Sequence, residues 1–187
     1  MSRIVPRIPN LSPEKLSPEQ RKVYDTIASG PRGHVRGPLA VWLQSAPLAA
    51  RAEALGAFCR YDTSLPKRLS ELAIIITGAK WRAGFEWYVH APLGIKEGLD
   101  PDAVEAIRTG GTPTFMREDE AALYAFTHEL LETHEVSDAT YKRAEAQFGT
   151  VGLVELVGIL GYYGLISMTI KAFRVAVPEG EQEPFEK

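Results

Sequence analysis

Two carboxylates and one imidazole within a single stretch, Glu71 to Gly98, have the residue types and spacing for proton chemistry. Glu86 and His90 are four residues apart, so a helix puts them on one face. Glu71 opens an apolar run that reads as the neighbouring helix, and an antiparallel hairpin would bring it beside the pair. A carboxylate next to an imidazole can orient the ring and favour its charged form, or the two can exchange a proton with a substrate. Three uses stay open on residue type alone: catalysis, a buried structural network, or a metal-ligating facial triad of Glu71, Glu86 and His90. The chain has no His-Glu-x-x-His motif that would single out the metal reading.

Other side chains could wall a cavity beside this group. Arg60 and Tyr61 fall at the end of the preceding helix, and Trp81 and Trp87 flank the turn WRAGF. Tryptophans in such positions serve equally as core anchors. His128 and His134 lie on a helix flank and in a charged stretch, and read as surface or capping residues. Cys59 is the one cysteine. It reads as a small buried hydrophobe, since nothing nearby in sequence would stabilise a thiolate.

The elements that must position these residues are helices. Ser17-Pro18-Glu19-Gln20 is a helix start with a capping box, and that helix ends near Gly30. The loop from Ser29 to Pro38, with three glycines, two arginines and His34, reads as a flexible connector, with anion binding as the other use. Pro47 starts a helix to about Tyr61 with Leu48, Ala52, Leu55, Phe58 and Cys59 inward. Pro66 starts the next. Its Ile74-Ile75-Ile76 run has strand propensity, but Leu69, Leu72, Ala73 and Ile76 recur at helical spacing. Pro92 predicts a kink just after His90. Asp100-Pro101, Glu118 and Ser137 open three further helices, and Gly149 separates the third from a last apolar helix, Val151 to Phe173. No convincing strand remains, so the fold class is all-α.

The 187 residues, 45% of them hydrophobic, are enough for one domain with a core. The expected organisation is an extended arm over 1–16, rich in proline, an all-helical domain over 17–175, and a polar, mobile tail over 176–187. A net charge of -3 without a basic stripe gives no reason to expect nucleic acid. The longest uncharged run, Leu156 to Ile170, is short of the roughly 20 residues that span a bilayer, so no membrane segment is expected. The N-terminus has no apolar segment of a secretory signal, and the lone cysteine suits a reducing cytoplasm. The apolar last helix and the arm favour self-association.

Glu71, then Ala83, then Glu86 and His90, followed by KEGL, resembles the carboxymuconolactone decarboxylase family, which includes the alkylhydroperoxidase D-like (AhpD-like) proteins. The likeness is strongest over Pro66 to Leu99, and LVGILGYYGLISMTI also resembles the family's terminal helix. It implies an AhpD-like helical bundle assembling as a dimer, trimer or hexamer. The peroxidase branch carries a Cys-x-x-Cys pair whose positions fall here on Ala83 and Glu86, so disulfide-cycling peroxidase chemistry is not expected. The decarboxylase branch matches better, with Glu86-Trp87 before His90. The resemblance implies a cofactor-independent, decarboxylase-like lyase acting on a small carboxylated lactone or cyclic acid. Glu71, Glu86 and His90 would be its catalytic set, and Arg60, Lys80 and Arg82 candidates to hold the substrate's anion. A lactone isomerase or hydrolase using the same residues, a metal-dependent enzyme, and a non-enzymatic oligomer that binds a small acid are the alternatives.

Overall fold

The computed structural model describes residues 5–185, and its secondary structure is helical throughout. A 3-10 turn, Pro13–Lys15, precedes α1 (Pro18–Ser29), α2 (Pro38–Trp42) and α3 (Ala46–Ala57). A π-helix, Phe58–Asp62, extends α3. Then come α4 (Lys67–Lys80), α5 (Gly84–Lys96), α6 (Pro101–Thr109), α7 (Glu118–Thr133) and α8 (Asp138–Phe173).

Local chemistry sets these boundaries. The Ser17 hydroxyl accepts from the Gln20 backbone while the Gln20 side chain accepts from the Ser17 amide, so both orphan donors of α1 are satisfied. Asp100 caps α6, and Gly110 ends it in the left-handed conformation. Within α8, Gly149 adopts φ 64° and ψ 176°, which breaks the rod into the two helical segments its sequence suggests.

The isoleucine run resolves as helix. α4 is buried from Arg68 to Gly78, and Leu72, Ala73, Ile74 and Ile75 have no solvent contact. A helix apolar on every side must be enclosed, and α4 packs against α5, α6, α7 and α8. Arg68, the cation in its first turn, is neutralised by Glu120 and by Asp119 at 2.7 Å, both from α7. α5 runs without interruption through Pro92 to Lys96, so the expected kink does not end or split the helix.

α3 turns a different face inward from the one expected. Ala49, Ala52, Gly56 and Cys59 are buried, whereas Leu48, Leu55 and Phe58 are exposed. Small residues win the inner face because α3 lies close to α8. A Cβ on Gly56 would stand 2.0 Å from the Tyr162 hydroxyl.

α8 is the one described helix long and apolar enough to cross a bilayer by length and composition, although its longest uncharged run is short. Half of that apolar window is buried in the fold, and Glu155 accepts hydrogen bonds from Ser64. Leu153, Leu156, Ile159, Leu160, Tyr162, Tyr163, Ile166 and Ile170 form its inner face, while Val151, Val154, Val157 and Met168 stay exposed.

Both ends of the described chain are folded down. The arm is not extended throughout, since Pro13–Lys15 makes a 3-10 turn. It lies along its own subunit: the Arg7 amide donates to the Phe173 carbonyl at 3.0 Å and its guanidinium to the Ala172 carbonyl at 2.8 Å. The last described residues of the tail are docked on the fold. Phe185 is buried, packs edge-on against Trp87 at 5.5 Å, and accepts from Arg82 Nη2 at 2.5 Å through its carbonyl. Arg108 donates to the Pro184 carbonyl. Covering one aromatic ring contributes about 1.5–3 kcal/mol, enough to hold an otherwise polar segment. The residues of the arm and tail at 1–4 and 186–187 lie outside the described residues.

Candidate active site

The helical hairpin of α4 and α5 brings the three proton-bearing side chains together. Glu71 comes from the second turn of α4, and Glu86 and His90 from successive turns of α5. They are 8%, 3% and 3% exposed. His90 Nδ1 donates to Glu71 Oε2 at 2.6 Å. On the other side of the ring, Nε2 lies 2.9 Å from Glu86 Oε1. At that distance Glu86 Oε1 is within reach of the Nε2 proton, and this buried oxygen has no other partner. Tyr163 closes the stack, its ring edge-on to His90 at 5.3 Å.

Opposing forces set the charge of His90. Burial disfavours the imidazolium; the Glu86 charge, the Glu71 and Glu86 contacts and the Glu71 charge outweigh it, raising the pKa from 6.5 to about 9. The balance favours the protonated ring. Both ring nitrogens face carboxylate oxygens. Among the described residues no group of three or more His, Cys, Asp or Glu side chains is arranged to hold a metal ion.

Glu86 and His90 line a cavity of about 110 Å³. Its walls are Phe85 and Val89 of α5, Tyr163 and Ile166 of α8, Arg60 and Tyr61 of the π-helix, and the loop carrying Arg32, His34 and Arg36. This is well below the roughly 300–1,000 Å³ of clefts that take drug-sized ligands, so its occupant is small. Helical turns of π type recur where function demands a local change of side-chain direction. Here the π-helix buries Cys59 and turns Arg60 and Tyr61 to the cavity. Burial raises the Cys59 thiol pKa, which leaves it an inert core residue.

The structure divides the remaining sequence candidates. Arg60 and Tyr61 reach the cavity; Lys80, Trp81, Arg82 and Trp87 do not line it. Lys80 pairs with Glu132 at 2.6 Å, Trp81 is exposed, and Arg82 and Trp87 hold the C-terminal Phe185. Their nearness to Glu86 in sequence does not carry into space: Arg82 and Trp87 face the chain's own tail and Lys80 faces α7. His134 is the left-handed C-cap of α7, and His128 is exposed against Tyr124.

The loop from Ser29 to Pro38, whose sequence reads as a flexible connector or an anion-binding segment, lines the cavity. Rather than a loose connector, it is pinned to α5: Gly37 has φ 59°, and a Cβ there would stand 2.3 Å from the Phe85 ring. This close seating carries Arg32, His34 and Arg36 to the cavity. Burial, then repulsion from Arg36, Arg60 and Arg32, lowers the His34 pKa. The signal was present as glycines interleaved with arginines, but no periodicity indicates where such a loop folds.

Comparison with solved structures assigns this architecture. The chain is similar to an uncharacterized peroxidase-related protein from Ralstonia eutropha JMP134 described as an alkylhydroperoxidase AhpD core (TM-score 0.76, 14% identity, covering 96% of this chain and 95% of that one). It is also similar to an uncharacterized peroxidase-related protein from Silicibacter sp. TM1040 (TM-score 0.74, 12% identity, 93% and 92% covered). A third likeness is to a cysteine-to-alanine variant of the debrominase Bmp8 in complex with 2,3,4-tribromopyrrole (TM-score 0.72, 15% identity, 98% and 95% covered). No family model matches the sequence, and no curated protein matches it. The chain thus has the all-helical AhpD-like fold, without a Cys-x-x-Cys pair.

Proposed function

We propose that the protein is a cofactor-independent lyase of decarboxylase type that acts by proton transfer on a small carboxylated lactone or cyclic acid. The observation that carries this reading is a buried histidine, held between two glutamates, at the wall of a small cavity rimmed by arginines. Loss of carbon dioxide breaks a carbon–carbon bond and leaves its electron pair conjugated into the ring. A proton must then be delivered to carbon, and a fixed cation lowers the energy of the developing charge.

His90 is the proton reservoir in this scheme, and Glu86, whose Oε1 has no other partner, is placed to pass the proton from Nε2 into the cavity. The new C–H bond takes the proton, and His90 recovers one from solvent. Glu71 is a positioning residue: its bond to Nδ1 fixes the ring and favours the charge. Cysteine chemistry of the kind a peroxidase needs has no place in the scheme, since Ala83 and Glu86 occupy the pair's positions and Cys59 is buried. We also propose self-association through exposed apolar side chains of α3 and α8, and a cytoplasmic setting.

The test is loss of 4-carboxymuconolactone, followed by ultraviolet absorbance and carbon dioxide release, with E86Q and H90A beside the wild type. Turnover that vanishes in both variants while helical circular dichroism persists supports the reading. Unchanged turnover in H90A removes His90 from the reaction. A folded wild type that binds small cyclic acids without changing them would favour the binding-protein alternative.

A further inference from the structure

Several of the cations in the molecule are matched by acids, but those around the cavity are not. Arg68 pairs with Asp119 and Glu120, Lys80 with Glu132, Arg108 with Glu105, and Arg143 with Glu118. Among the described residues Arg32, Arg36 and Arg60 form no ion pair. Instead Arg32 and Arg60 both lie against the Tyr61 ring, with their guanidinium carbons 5.9 and 5.4 Å from its centre.

Arg32 is the most constrained of the three. Its Nε and Nη2 are buried and have no hydrogen-bond partner in the protein. Close by, the Tyr162 hydroxyl is also buried and unpartnered. Both Nη2 and that hydroxyl lie within 2.8 Å of the point where a side chain on Gly56 would begin, so only glycine leaves this space open. Burial raises the Tyr162 pKa well above its ordinary value and keeps its proton on. Guanidinium N–H groups can only donate, and an unmatched buried donor costs about 1–3 kcal/mol. Arg32 also lines the cavity, which Tyr162 does not, so its guanidinium is suited to a ligand that only accepts. A carboxylate is that ligand, and the guanidinium fork matches it with two parallel hydrogen bonds.

We infer that Arg32, with Arg60 across Tyr61, is the specificity-determining residue that holds a substrate carboxylate in the cavity. This rests on reading the cavity as the reaction site and assigns it a substrate class: a small organic acid that keeps one carboxylate fixed while His90 and Glu86 act elsewhere on it. The loop from Pro31 to Gly37 is then a recognition element, and its seating on Phe85 couples it to the helix that carries Glu86 and His90.

Binding can be read apart from turnover, by calorimetry with 2-furoate, a five-membered ring bearing one carboxylate, and with its neutral amide as control. The wild type should bind 2-furoate at least tenfold more tightly than the amide. R32Q should weaken 2-furoate at least tenfold and leave the amide unchanged, R32K should recover part of the loss, and R60Q should lose less than R32Q. Circular dichroism checks that each variant is folded. Equal affinity of the wild type for acid and amide, or 2-furoate binding by folded R32Q at the wild-type level, overturns the inference. H90Q separates the two readings: anion binding retained there without turnover sustains both, while turnover retained in H90Q with binding lost in R32Q leaves the clamp standing and removes His90 from the chemistry.

Discussion

Two groups of basic side chains lie beside elements of the α4–α5 hairpin, and they meet different fates. Lys80, Arg82 and Arg108 gather near the C-terminal end of α4, where Glu132, the Phe185 carbonyl and the Pro184 carbonyl with Glu105 respectively take up their donors. Arg32, Arg36 and Arg60 line the His90 cavity and find no acid. The first group is consumed in holding the fold together, and the second is kept available. Equal charge therefore means different things: a satisfied cation contributes to stability, and a buried donor without a partner, as on Arg32, calls for an explanation that a bound ligand would supply.

The largest effect should come from the group between these clusters. Removing a positioned proton donor typically costs 10²–10⁴-fold, so H90A should lower kcat by about that factor in the decarboxylation assay with little change in KM. R32Q should do the reverse, raising KM at least tenfold with a smaller change in kcat. A matching KM increase in R82Q would erase the contrast between the clusters. R82Q is instead expected to leave KM alone and to lower stability by about 1 kcal/mol through its lost hydrogen bond. F185A, which empties the site that Arg82 and Trp87 hold, should cost about 2 kcal/mol in denaturant unfolding.

The pH dependence sharpens the same contrast. The folded pKa of His90, about 9, lies above its ordinary 6.5, so its stabilising contribution is complete below about pH 6.5 and is lost as pH rises through 9. By linkage the contribution is on the order of 3 kcal/mol at full extent. Thermal unfolding of the wild type should therefore fall across this window, and H90Q should flatten that decline. Turnover should fall over the same alkaline range if the imidazolium is the acid. A wild type whose stability is level from pH 6.5 to 9.5 would show that the ring is neutral between its carboxylates.

Much of the helical order was legible because its signals are local. Ser17 and Gln20 cap α1 through atoms three residues apart, Asp100 caps α6 two residues away, and Gly149 breaks α8 by its own backbone angles. The pairing of Glu86 with His90 is equally local, since a helix alone makes residues four apart neighbours. Glu71 needed only the hairpin that two adjacent helices and a short turn form. The inward face of α3 was less legible: leucine and phenylalanine outrank alanine and glycine in hydrophobicity, but close approach of α3 to Tyr162 selects the small side chains.

The sequence by itself determined most of the helices, though not α2 or the π-helix, together with the lack of a cysteine pair and the set of Glu71, Glu86 and His90. Their contacts follow from spacing within one hairpin, over distances that local backbone geometry controls. Only the tertiary structure decided which cations join them. Arg32 arrives from a loop with no period to read, held by a glycine against Phe85, while Lys80 and Arg82 are taken by Glu132 and Phe185 from remote parts of the chain. Partners separated by 50 or 100 residues are chosen by packing, and packing is a property of the whole chain at once.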